Sequence, residues 1–165
     1  MIYTFAAALA STLSFIVFAS IVVWYVAPWL RTQSRADALI ALLWVQVFRY
    51  VALQIFSAQK FGFAVSDGAR DQIAIGDVVG AILALSAIIA LRRKARMAIA
   101  LTWLCAAETF LDLANSTVAG LRESLFETAA GVTWLILTFY VPILWLSLGC
   151  ITWQLYARRD QPLMA

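Results

Sequence analysis

The sequence predicts an all-α integral membrane protein, a bundle of five transmembrane helices with its amino terminus outside and its carboxyl terminus in the cytoplasm. Three observations carry that reading. Of 165 residues, 64% are apolar and only 13% charged, where soluble domains run at about 45–50% and about 25%. The apolar residues gather into five stretches near the length of about 20 residues that a spanning helix needs. The lysines and arginines crowd into alternate breaks between those stretches.

The same composition excludes several classes. A chain this apolar is neither a soluble globular enzyme nor a disordered tail. Its net charge of +3 does not mark a nucleic-acid binder, because the bases collect at span ends, where topology accounts for them. No histidine is present, which removes histidine-ligated haem, a zinc site and a histidine base. Both lysines, Lys60 and Lys94, lie in breaks, which argues against a retinal Schiff base, so no cofactor and no metal is expected. Cys105 and Cys150 sit in apolar stretches and read as small hydrophobes without a disulfide.

The first span, Ile2–Leu30, opens Met-Ile-Tyr-Thr without a basic segment and is longer than the apolar core of about 7–15 residues of a secretory signal. It reads as a retained helix. Trp24, Tyr25 and Trp29 near its end, with Trp153 and Tyr156 near the end of the last span, fit an interfacial aromatic belt. The second span, Ala36–Ser57, aligns Gln46, Arg49, Tyr50, Leu53 and Ser57 along one side at helical spacing. The break Ala58–Gln72 is the longest, and its Phe61 and Phe63 suit either a connector or a lid over a polar layer beneath it.

The third span, Ile73–Leu91, holds Asp77 and a Gly76-x-x-x-Gly80 spacing continued by Ala84, which predicts close approach of another helix backbone. The run Arg92-Arg93-Lys94-Ala95-Arg96 follows, a topology anchor or, less economically, an anionic-lipid site. The fourth span, Met97–Ala119, stacks Glu108, Asp112 and Asn115 on one side. The fifth, Ala129–Tyr156, contains Pro142, which cannot donate to Thr138 and predicts a kink there. Trp103, Trp134, Tyr140 and Trp145 could line an aromatic cavity for a lipophilic or cationic guest, or fill core and touch lipid. The five spans form a single membrane domain.

Orientation follows from the bases. Arg31, Arg35, Arg92, Arg93, Lys94, Arg96, Arg158 and Arg159 share one side, against Lys60, Arg70 and Arg122 on the other. Basic residues stay cytoplasmic, which predicts a multi-pass protein of the plasma (inner) membrane with its long break outside.

Ionisable residues inside spans are expensive and mark function by default. Arg49, Asp77, Glu108 and Asp112 are four such residues, on three helices. At about 1.5 Å per residue, Arg49, Asp77 and Asp112 fall in one layer of the outer half, with Glu108 a turn deeper. Contact between Arg49 and at least one of Asp112 and Asp77 is expected. Three ionised carboxylates around one permanent guanidinium would leave net −2 in low dielectric. One acid, most naturally Glu108, should therefore hold a proton at neutral pH unless a cation joins the cluster.

The function expected is a small transporter or channel-like protein for protons or cations. Its candidate ion- or substrate-binding residues are Arg49, Asp77, Glu108, Asp112, Asn115, Gln46 and Tyr50. The alternative is a non-catalytic subunit or assembly factor of a larger membrane complex, where the cluster is static polar glue. A lipid-modifying enzyme is the weakest reading, since no nucleophile is paired to a base and no catalytic residue is identified. The expected partners are the bilayer, a second copy or a larger complex, and a proton or cation.

Overall fold

The computed structural model describes residues 2–161, and among them every regular element is helical. The elements in chain order are α1 (Ile2–Thr32), α2 (Arg35–Lys60), α3 (Asp67–Arg92), α4 (Ala98–Arg122), the single turn α5 (Leu125–Thr128) and α6 (Gly131–Ala157). Four of them, α1, α2, α3 and α6, are long and apolar enough to cross a membrane. The remaining long helix, α4, has 25 residues, and its apolar run is interrupted by Glu108, Asp112 and Asn115.

Local chemistry sets the boundaries. Ser34 caps α2 by accepting from Asp37 N–H at 3.1 Å, and Ser66 caps α3 by accepting from Ala69 N–H at 3.3 Å, each satisfying an orphan amide of a first turn. Left-handed residues close the turns: Gly62 after α2, Lys94 between α3 and α4, Ser124 after α4 and Gly131 at the start of α6.

The polar breaks are shorter than their composition suggests, because the helices run on through them. Helix α2 reaches Lys60 and α3 begins at Asp67, so only residues 61–66 connect them. The break expected over Ala58–Gln72 is thus shorter than its composition suggests, and of its two readings, connector or lid, the connector fits. Within the connector Phe61 is 83% exposed, while Phe63 and Val65 turn inward onto Ile55, Ala69 and Leu125. The connector is a plug seated between helix ends, and Glu123 fixes it by accepting from Ser66 Oγ at 2.6 Å and Ser66 N–H at 3.2 Å.

The opposite end is tied by two arginines. Arg35, only 6% exposed, donates to the carbonyls of Leu155 (3.1 Å) and Arg159 (3.3 Å) at the end of α6. Arg158 donates to the carbonyls of Leu30 (3.2 Å) and Gln33 (2.9 Å) at the end of α1. Each guanidinium thus bonds carbonyls in the last turn of a neighbouring helix or just past it. These residues fasten α1, α2 and α6 together.

Two helices carry a π turn just before a proline. In α1 it spans Val22–Val26, with Ala27 N–H donating to Val22 O and Pro28 next; in α6 it spans Ile136–Tyr140, with Val141 N–H donating to Ile136 O and Pro142 next. A wider turn thus lies just before the proline whose missing N–H is expected to kink the last span. The two helices pack on each other through that region, where Phe18 and Phe139 meet edge to face at 4.7 Å.

The core has two apolar parts. The larger gathers Leu30, Leu39, Leu43, Leu91, Ile151 and Leu155 toward the arginine-tied end, and the smaller gathers Ile55, Phe63, Val65 and Leu125 toward the plug. Along α2 and α3 the charged residues lie between them.

Candidate functional site

Arg49 organises the site. It lies in a stretch of 3-10 helix, Phe48–Leu53, inside α2, and its side chain is fully buried. Nε donates to Asp77 Oδ1 at 2.9 Å on α3. Nη1 donates to Glu108 Oε2 at 2.9 Å and to Thr109 Oγ1 at 3.0 Å on α4. Nη2 donates to Asp112 Oδ2 on α4 and, more weakly, to Gly76 O at 3.5 Å on α3. The guanidinium has five N–H donors, and all five are engaged. One side chain from α2 therefore joins three carboxylates from α3 and α4.

Glu108 belongs to the same ring of contacts as Asp77 and Asp112. The sequence-based depths separated them because they measured Asp77 from Ile73, whereas α3 begins at Asp67 and carries Asp77 deeper. The long arginine side chain spans the remaining difference.

Two glycines make room for this ring. A Cβ on Gly76 would fall on the carboxylate of Asp112, and one on Gly80 on the guanidinium of Arg49, with Glu108 Oε2 at 2.7 Å. The Gly-x-x-x-Gly spacing was expected to admit a neighbouring backbone. Here the space is taken by charged side chains.

The remaining candidates lie elsewhere. Gln46 is fully buried but donates to Leu144 O at 3.3 Å, linking α2 to α6. Tyr50 is 50% exposed: in a 3-10 turn of about 3.0 residues, side chains advance about 120° each, so the residue after an inward Arg49 faces away. Asn115 is also exposed. The buried face of α4 runs Thr102, Cys105, Thr109, Leu113 and Gly120, which leaves Asn115 off it. Thr109 was missed, although the i+3/i+4 spacing from Thr102 and Cys105 to Asp112 marks its face. Of the two readings of the aromatics, the cavity is not assembled: Trp103 is 43% exposed, and Trp145 packs edge to face on Phe110 at 6.0 Å.

Beside the ring lies a cavity of about 80 Å³ bounded by α2, α3, α4 and α6 and closed over by Phe63 and Leu125. Its wall is mostly aliphatic. Asp77 and Asp112 both reach it, together with Ser116, whose buried Oγ has no hydrogen-bond partner. Three other polar residues on the wall bond within the protein: Gln54 Nε2 donates to Thr133 Oγ1 at 3.2 Å, and Tyr140 donates its hydroxyl to Val45 O at 2.9 Å. Among the described residues no group of three or more His, Cys, Asp or Glu side chains is arranged to hold a metal ion.

A family model described as a domain of unknown function, DUF8737, matches residues 6–156 of the chain. No curated protein and no solved structure matches it.

Proposed function

The chain therefore belongs to the DUF8737 family, and for it we propose the role of a small multi-pass transporter or channel-like protein for protons or cations, working through Arg49, Asp77, Glu108 and Asp112. One observation carries the proposal: Asp77 and Asp112 each touch Arg49 and at the same time line the cavity. A carboxylate in that position can exchange its arginine partner for a proton or cation arriving through the cavity. The permanent positive charge of Arg49 holds the departing form in place. The ring's surplus of negative charge supplies the driving force, and the lack of a metal-type ligand group among the described residues favours a proton or a hydrogen-bonding cation over a coordinated metal ion.

In this reading all five long helices cross the plasma (inner) membrane, α4 included, because its carboxylates face Arg49 and not lipid. The plug end lies outside, and the arginine-tied end with the carboxyl terminus lies in the cytoplasm.

The test is flux in proteoliposomes that enclose a pH-sensitive dye, under an imposed potential and then with cations outside, comparing wild type with Asp112→Asn. Flux in wild type that is lost in the variant supports the proposal; a folded wild type without flux overturns it. A second reading draws on a different observation, the engagement of all five Arg49 donors, which suits a static joint in a subunit or assembly factor. It requires Glu108→Gln and Asp112→Asn to leave function untouched while Arg49→Ala removes the folded protein.

A further inference from the structure

The cavity beside the ring has a chemistry of its own. Asp77 and Asp112 each spend one oxygen on Arg49, and Asp77 Oδ2 and Asp112 Oδ1 accept no hydrogen bond from a described residue. Ser116 Oγ, on the same wall, is buried and unpartnered. An unmet buried polar atom costs about 1–3 kcal/mol, a cost that falls here on Ser116 Oγ, while the free aspartate oxygens remain open to a donor. Asp77 and Asp112, with Ser116 beside them on the wall, suit the N–H donors of a primary ammonium.

Charge points the same way. With one proton on Glu108, the ring of Arg49, Asp77 and Asp112 is left at −1, and a monovalent cation neutralises it. The apolar part of the wall, with Ile55, Phe63, Ile73 and Leu137, offers nothing to a hydrated metal ion and much to a short alkyl chain. A hard metal cation asks for about six or more oxygens, whereas no metal-type group is present among the described residues. A quaternary ammonium would bring no N–H donor and would want an aromatic cage, and no tryptophan lines the space. About 80 Å³ accommodates only a few heavy atoms, since one water occupies about 30 Å³ in the liquid.

The geometry points to a binding site for a small primary alkylammonium ion, its N–H donors on Asp77, Asp112 and Ser116 and its alkyl end on the aliphatic wall. The inference rests on the transport reading and names the substrate class for the same cluster.

The probe is ethylammonium chloride, added to purified protein in lipid nanodiscs while the thermal unfolding midpoint is followed. Sodium chloride and tetramethylammonium chloride at equal ionic strength serve as comparisons. The expected result is a saturable rise with ethylammonium alone, weakened on the order of tenfold or more in Asp112→Asn and in Ser116→Val, a change of about 1.4 kcal/mol or more. Ser116→Val narrows the cavity without touching any bond of Arg49, so it stands in where Asp112→Asn fails to fold. An equal response to all three salts, or an ethylammonium response that survives in the folded variants, overturns the site. Proton flux in amine-free liposomes separates the two claims. Flux from a protein that ignores ethylammonium overturns the ammonium site alone, and ethylammonium binding without flux of proton or amine supports the site and overturns transport.

Discussion

The carboxylate of Asp112 rests in the space that a Cβ on Gly76 would occupy. Helices α3 and α4 are therefore matched in two ways at that point, by a missing side chain on one and a charged side chain on the other, which also fixes the angle at which Asp112 meets Arg49.

That match predicts the cost of filling it. Gly76→Ala and Gly80→Ala should each destabilise the fold by about 1–3 kcal/mol, as overpacking does. Gly80→Ala should be the worse, since Arg49 is held by five bonds and has nowhere to go. Gly68→Ala, where a Cβ meets nothing within 4 Å, is the control and should be neutral or stabilising by up to about 1 kcal/mol. Thermal unfolding midpoints in detergent check the order.

Removing Arg49 strands three carboxylates. Arg49→Ala should cost about 3–5 kcal/mol, the usual penalty for leaving buried charge unpaired, and Arg49→Lys should recover only part of it because an ammonium has three donors and not five. Glu108→Gln, which puts a neutral amide in place of a protonated acid, should be close to silent in stability. Urea or thermal unfolding of the three variants gives the comparison, and equal loss in all three would contradict the surplus.

At the other end, Arg35→Met should uncap α6. The variant loses its bonds to the carbonyls of Leu155 and Arg159, at about 1–3 kcal/mol. Hydrogen exchange should rise in the last turns of α6 before it rises in α3 or α4. A uniform rise would mean that Arg35 supports the whole fold and not that terminus.

The orientation has a separate check. In a background with Cys105 and Cys150 replaced by Ala, a cysteine at Ala95 should resist a membrane-impermeant thiol reagent applied to intact cells, and one at Lys60 should react. The reverse pattern inverts the topology.

Much of the site is legible in the sequence because charges in apolar stretches have few places to go. Four ionisable residues at similar depth on three helices must find one another, and Arg49, Asp77, Glu108 and Asp112 do. What periodicity alone misjudged was phase. Tyr50 directly follows Arg49, and consecutive residues do not share a face in an α-helix or in the 3-10 stretch Phe48–Leu53, so with Arg49 inward Tyr50 is turned outward. The helix limits were misjudged for a related reason: Asp67, Arg70 and Asp71 look like a loop by composition, yet Ser66 caps a helix that includes them. The glycines were seen as a spacing, but nothing in the spacing distinguishes a backbone neighbour from a carboxylate.

The π turns before Pro28 and Pro142 each accommodate one residue more than an α-helix of the same rise. In each helix the segments above and below the turn are therefore out of step by one residue, so a single stripe drawn from end to end names the wrong inward side chains on one half. Deleting one residue from Ile136–Tyr140 should return α6 to regular winding with little shortening, and should be tolerated far better than the same deletion in α3, which has no spare residue to lose.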